Sequence, residues 1–307
     1  MPNIVQGSKL KFEASVNIPA NATFAKLVIS DTLANGLSYT TGTETLTYTV
    51  GATTTTLVEG TDYTDESTGQ LVKFVITNAA VVTPTAVTNV KVTIPVVVSN
   101  IVALLAAQAA SPDFKNIITF EALDASDAVI DTDTAETALS FTQFQLYGLG
   151  APYTVKKLAS QTAQTVFFFP AASGFGDPNL VYTVEILPMP EFTFSAPVKI
   201  TLNSVSGAVV AGATAVIDPV TNKVTATIPH TDQIKDAVFH VIIPTTTTAA
   251  ITLPTVPNTL YISGTANLSN TSTTPQTLLS VASPFNAEVT LIEETQIFFD
   301  ATKSLLS

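Results

Sequence analysis

Between Ser8 and Pro19 apolar and polar residues alternate strictly: Leu10, Phe12, Ala14, Val16 and Ile18 fall on one face, Lys9, Lys11, Glu13, Ser15 and Asn17 on the other. A period of two predicts a half-buried strand. In the next stretch, Leu27 to Tyr39, Val28 and Ile29 supply β-branched bulk, Asp31 and Thr32 can bond their own backbone, and Asn35-Gly36 is a strong turn signal. The expectation is strand, turn, strand. Further strands are predicted over residues 45–50, 70–77, 89–98, 116–123 and 138–146, punctuated by Gly, Asp, Asn and Pro. One stretch breaks this pattern. Ile101 to Ala110, IVALLAAQAA, is rich in Leu and Ala and closes at Ser111-Pro112, which predicts an apolar helix plugging one end of a sandwich.

From Tyr147 the pattern starts again. Tyr153 to Leu158 and Gln161 to Phe169 read as strands, and Leu180 to Leu187 alternates and ends at Pro188 as Phe12 to Ile18 does at Pro19. Residues 198–207 then parallel 28–36, 223–228 parallel 71–76, 237–244 parallel 90–95, and 257–263 parallel 115–121. The chain reads as two diverged copies of one unit. The predicted fold class is all-β: tandem immunoglobulin-like sandwiches over residues 1–147 and 148–294, with a C-terminal tail over 295–307.

Charge and composition then remove whole classes of function. With 12 Lys, no Arg and 24 acids, the net charge of −12 repels phosphate backbones, so no nucleic acid partner is expected. The absence of cysteine excludes disulfides and zinc–thiolate sites. The longest apolar stretch, near Val96 to Ala110, is interrupted by Ser99-Asn100 and Gln108, so no membrane insertion is expected. The first residues, MPNIVQGSKLKF, lack the basic start and long apolar core of a secretory signal, and the last residues lack a wall-sorting pentapeptide with a hydrophobic tail. Only 12% of residues are charged, against about 25% in an average chain, which suits densely packed, protease-resistant sandwiches.

Candidate chemistry is sparse. His230 with Asp232, and His240, are two imidazoles without a third convergent ligand, so no metal site is expected. Asp124, Asp127, Asp131 and Asp133 lie in a turn without the glycine and terminal Glu of a calcium loop, and read as a solvated acidic hairpin. The threonine runs at 53–56 and 245–248 suit solvent-facing edges. No nucleophile elbow, phosphate loop or dinucleotide fingerprint is present, so neither an enzyme nor a cofactor is expected. Asp31 remains. A carboxylate at the end of a buried-type strand is either a turn cap or a functional acid.

VISDTLANGL at 28–37, GTDYT at 60–64 and the strand centred on Asn116 resemble the isopeptide-forming repeat of Gram-positive fimbrial backbone proteins, specifically over residues 8–146 and in outline over 150–300. The resemblance implies filament-building sandwiches, each locked by an amide between a Lys on its first strand and an Asn near its last, promoted by a buried acid. Asp31 and Asn116 match the acid and the acceptor. The lysine departs from the pattern, because MPNIVQG contains none and Lys9 and Lys11 fall on the polar phase of a later strand. In the second copy Lys156 or Lys157 and Asn258 hold the matching places, while residues 199–206 offer no acid and Glu185 is the substitute from an adjacent strand.

The tail Phe298-Phe299-Asp-Ala-Thr-Lys303-Ser-Leu305-Leu-Ser307 resembles Tyr153 to Ser160, the strand that introduces the second copy. The tail thus reads as a first strand with no domain after it, and the first copy as a domain with no first strand. The expectation is a self-assembling subunit of an extracellular filament on a cell or spore surface, its partners copies of itself. Phe298, Phe299 and Leu305 would anchor the donated strand, and Lys303 would reach Asn116 of the neighbour. The alternative is an adhesin or stalk module binding a glycan or host protein, which needs no use for the tail.

Overall fold

A computed structural model describes residues 1–157, 160–248 and 259–292. It divides into two compact units: residues 1–145 with 172–178, and residues 146–171 with the described residues from 179 onward. The described chain is all-β, built as immunoglobulin-like sandwiches, with two short helices.

In the first unit the chain runs β1 (Asn3–Ile4), β2 (Lys9–Ile18), β3 (Lys26–Thr32), β4 (Leu37–Tyr39), β5 (Thr45–Val50), β6 (Thr53–Thr56), β7 (Tyr63–Asp65), β8 (Leu71–Ile76), α1 (Ala79–Val82), β9 (Thr88–Val98), α2 (Ile101–Ala110), β10 (Lys115–Leu123), β11 (Val129–Ala138) and β12 (Thr142–Gln143). One sheet has the order β2-β9-β5-β6, with β4 also on β9; the facing sheet has the order β11-β10-β3-β8-β7. The alternation read in β2 is observed, with Phe12, Ala14 and Ile18 buried against Ile29, Phe74, Ile94 and Phe120 in a single core. Helix α2 spans the predicted residues. Asn100 caps it by accepting from the Ala103 amide at 3.0 Å, and Ile101 and Leu104 anchor it in the core while Val102 faces solvent.

One expectation is refined here and another corrected. The Asn35-Gly36 turn joins two strands as predicted, but they do not pair, because β3 lies in one sheet and β4 in the other. The turn is a crossing between layers. Gly36 has φ +95°, and a Cβ there would lie 2.4 Å from the Asn100 carbonyl oxygen, so the start of α2 fits against it only because the side chain is absent. Nor is the first unit without a first strand: Asn3 and Ile4 pair in parallel with Thr142 and Gln143. That strand lies beyond the end of β11 and leaves β11 as a sheet edge among the described residues.

The second unit contains β13 (Leu149–Gly150), β14 (Tyr153–Lys156), β15 (Thr162–Pro170), β16 (Asp177–Ile186), β17 (Phe192–Phe194), β18 (Lys199–Leu202), β19 (Thr214–Ile217), β20 (Val224–His230), β21 (Val238–Thr247), β22 (Thr259–Asn270) and β23 (Thr277–Ile292). One sheet has the order β13-β15-β21-β17 with β18 also on β21, the other β14-β23-β22-β16-β20-β19. Phe167, Phe169, Tyr182, Phe239 and Phe285 form its aromatic centre, with ring centroids 5.0–5.3 Å apart.

Sheet order shows which strands correspond. The partner of β21 in the place of β2 is β15, and the strand between β20 and β22, in the place of β3, is β16. Leu180–Leu187 therefore corresponds to the strand carrying Asp31, one strand later than its alternation suggested. The triple phenylalanine hides the alternation of β15, because Val166, Phe167 and Phe169 are all buried. Thr53–Thr56 forms an exposed edge as expected. Thr245 and Thr247 are instead buried on β21, and Thr245 shares a 2.8 Å hydroxyl hydrogen bond with Thr165.

Candidate strand-acceptor and cross-linking site

Pairing of β3 with β10 places Asp31 opposite Ile118, two residues from Asn116 along β10. Both side chains turn into the core, Asp31 at 1% and Asn116 at 4% exposure. The Asn116 Nδ2 donates to Asp31 Oδ2 at 2.8 Å. The other carboxylate oxygen, Oδ1, is buried without a partner among the described residues. Burial pushes the Asp31 carboxyl up to about 6, against the smaller downward pull of the Asn116 hydrogen bond. A cap would bond turn amides. Asp31 accepts from Asn116 instead.

Asn116 lies in the wall of a cleft of about 570 Å³ that also includes Phe12, Ala14, Ile118, Ala135, Thr137 and Phe175. A second hollow follows in the same flank, bounded by Val16, Ile18, Phe24, Phe120 and Ile130. The cause is the position of β11. Its residues opposite the buried Asn116, Ile118 and Phe120 are Thr137, Ala135 and Asp133, and these remain exposed or half-exposed. The flank between β2 and β11 is therefore open.

The second unit treats the equivalent flank differently. Leu149–Gly150 pairs with β15, and Tyr153–Lys156 pairs in parallel with Val289–Ile292 of β23, so one short segment covers both edges. Phe285, Ala287, Val289 and Leu291, the inward positions of β23, are buried. Gly150 makes this possible, since a Cβ on it would come within 2.4 Å of the Ala287 Cα.

The remaining candidates sort themselves. Lys9 pairs with Asp177 at 3.5 Å, and Lys11 lies 4.2 Å from the Phe175 ring centroid at the mouth of the cleft; neither bonds Asp31. Lys156 is exposed and Lys157 half-buried at the end of β14. Asn258, Phe298, Phe299, Lys303 and Leu305 lie outside the described residues. Glu185 is held in a 2.8 Å ion pair by Lys223, at 42% and 32% side-chain exposure. His230 is buried, 3.3 Å from the Tyr182 hydroxyl through Nδ1, and burial lowers the half-buried His240. Asp124 closes its own turn by accepting from the Ser126 and Ala128 amides, and Asp127 pairs with Lys26. Among the described residues no cluster of metal-ligating side chains forms.

One polar cluster went unnoticed in the sequence: Tyr39 donates to Glu44 and, at 2.9 Å, to Asp65, while Tyr63 donates to Glu44 at 2.8 Å. Burial first, and then the carboxylates, raise both phenols. Glu44 follows Tyr39 by five residues and Asp65 shares β7 with Tyr63, but β4 and β7 belong to different sheets, so only the fold brings the two pairs together.

No family model and no curated protein matches the chain. Solved structures with a similar course include the seventh ScaB type I cohesin from Pseudobacteroides cellulosolvens (10% identity, 52% of this chain and 99% of that one, TM-score 0.33). Two others are collagen adhesin from S. aureus (10%, 94% and 90%, TM-score 0.30) and BcpA, the major pilin subunit of Bacillus cereus (10%, 91% and 69%, TM-score 0.33). At those scores the likeness extends to a β-rich course of the chain and identifies no family.

Proposed function

We propose that this chain is a structural, self-assembling subunit of an extracellular filament, in which the C-terminal tail of one copy fills the open flank of the next copy's first unit. The single observation that carries this is the contrast between the flanks: a short segment fills the one beside β23, and the one beside β11 is a cleft with Asn116 in its wall. An unpaired edge next to a cleft of mixed polar and apolar lining is a template for an added strand, and a donor at one end with an acceptor at the other makes an open chain of subunits. The work is mechanical. Catalytic turnover has no part in it.

Asp31 and Asn116 further fit a covalent joint with Lys303 of the donor. Desolvation favours transfer of a proton from the Lys303 ammonium to the Asp31 carboxylate, whose affinity for it is already raised. The neutral Nζ attacks Cγ of Asn116, and the protonated acid donates to the amide oxygen as charge develops there. The acid then carries a proton from Nζ to the amide nitrogen, the C–N bond to that nitrogen breaks, ammonia leaves, and a secondary amide remains. Each joint is lighter by one ammonia.

The test compares full-length protein with a variant ending before Phe298. Electron microscopy should show filaments only for the full chain, and denaturing gels with intact-mass measurement should show a boiling-resistant ladder. Filaments without a ladder would remove the covalent bond and leave donation. Monomers only, at concentrations high enough for assembly, would overturn the filament reading in favour of a binding module.

A further inference from the structure

The inward positions of the second unit's own flank-filling strand supply a pattern to match. Along β14, Tyr153 and Val155 face the core, Val155 buried and the Tyr153 hydroxyl 2.8 Å from that of Thr165, while Lys156 is exposed. Lys157 has the parity of the inward pair and is half-buried. The inward series is thus aromatic, small apolar, lysine at every second residue. In the tail only one phase repeats it: Phe299, Ala301, Lys303. The opposite phase, Phe298, Asp300, Thr302 and Ser304, is mainly polar.

Register follows from the pairings. Tyr153 is opposite Val289, which is opposite Leu260; if Asn258 stands for Asn116, Leu260 stands for Ile118, which is opposite Ala135. Val289 and Ala135 are thereby equivalent, and so is what pairs with them.

Resting on the strand-donation reading, we infer that the tail of a second copy lies parallel to β11 with Phe299 beside Ala135, Ala301 beside Thr137 and Lys303 beside Leu139. The juxtaposition is chemically consistent at each point. Phe299 meets the part of the cleft formed by Phe12, Ala14 and Ile118, which is the apolar volume next to Ala135. Lys303 arrives one diagonal step from Thr137, the cross-strand partner of Asn116. An antiparallel donor centred on the same Ala301–Thr137 pair would instead put Phe299 beside Leu139, away from Phe12, Ala14 and Ile118, and Lys303 beside Ala135 among them.

The absence of native cysteine makes the inference directly testable by mixing full-length single-cysteine variants under mild oxidation. In the parallel register Phe298→Cys meets Thr134→Cys; in the antiparallel one it meets Ser140→Cys, six residues or about 20 Å away along the strand. The expected result is a heterodimeric disulfide with Thr134→Cys at least tenfold faster than with Ser140→Cys. The reverse preference would overturn the register and polarity while leaving donation intact. Equal and slow formation with both, in a sample whose parent forms filaments, would overturn tail occupancy of this cleft; a parent that forms no filaments would overturn donation itself.

Discussion

The last strands of the two units, β11 and β23, occupy the same place in their sheets and have opposite inward faces. On β23 the inward row is Phe285, Ala287, Val289 and Leu291; on β11 it is Asp131, Asp133, Ala135 and Thr137. Only the first row is covered by a neighbouring segment, and only the first row is apolar throughout. Side-chain choice on each of the two strands thus matches whether the chain's own segment covers it.

The largest expected effect concerns the covalent joint. Asn116→Ala removes the acyl carbon that Lys303 would attack, and the boiling-resistant ladder should disappear completely while electron microscopy still shows filaments. A ladder that survives would move the bond elsewhere. Next is Val289→Asp, which buries an unpaired charge at a fully buried position and should cost about 4 kcal/mol or more by urea denaturation. A cost near zero would mean that the flank beside β23 is as open as the one beside β11.

Asp31→Asn is expected to act through pH. The carboxyl binds its proton more tightly in the folded chain than in the unfolded one, at about 6 against about 4, so wild-type stability falls as pH rises through that window. The variant should match wild type near pH 4 and exceed it above pH 7 by at most about 3 kcal/mol, since each tenfold change in proton affinity is worth about 1.4 kcal/mol. Denaturation curves at the two pH values decide this, and equal differences at both would remove the burial penalty from Asp31. The smallest effect is for Asp133→Val in the isolated subunit. The side chain is exposed, so the change should lie within about 0.5 kcal/mol, in contrast to Val289→Asp.

Local pattern exposed much of this in advance. The alternation of β2, the apolar helix closed by Ser111-Pro112, and the meeting of Asp31 with Asn116 were all legible, because each depends on residue order or on a recognisable combination of motifs. The crossing at Asn35-Gly36 was not, since a turn signal specifies a bend without naming the sheet that receives the next strand. Threonine behaves similarly. Thr53–Thr56 and Thr245–Thr247 are alike in composition, yet one run lies at an edge and the other on a strand paired on both sides, where Thr165 satisfies a buried hydroxyl. The correspondence of β15 with β2 was hidden because three phenylalanines in a row erase the period-two signal that β16 still displays.

The acids along β11 also bear on timing. In a chain carrying a net charge of −12, Asp131 and Asp133, with Glu136 already paired to Lys115, make the uncovered edge a region that repels another copy at a distance. That repulsion is screened over about 8 Å at physiological ionic strength and reaches about 30 Å at 0.01 M salt. Under the proposed strand donation, dilute buffer would hold a subunit back from its own kind, and a saltier medium would shorten the lag before growth without altering a single residue.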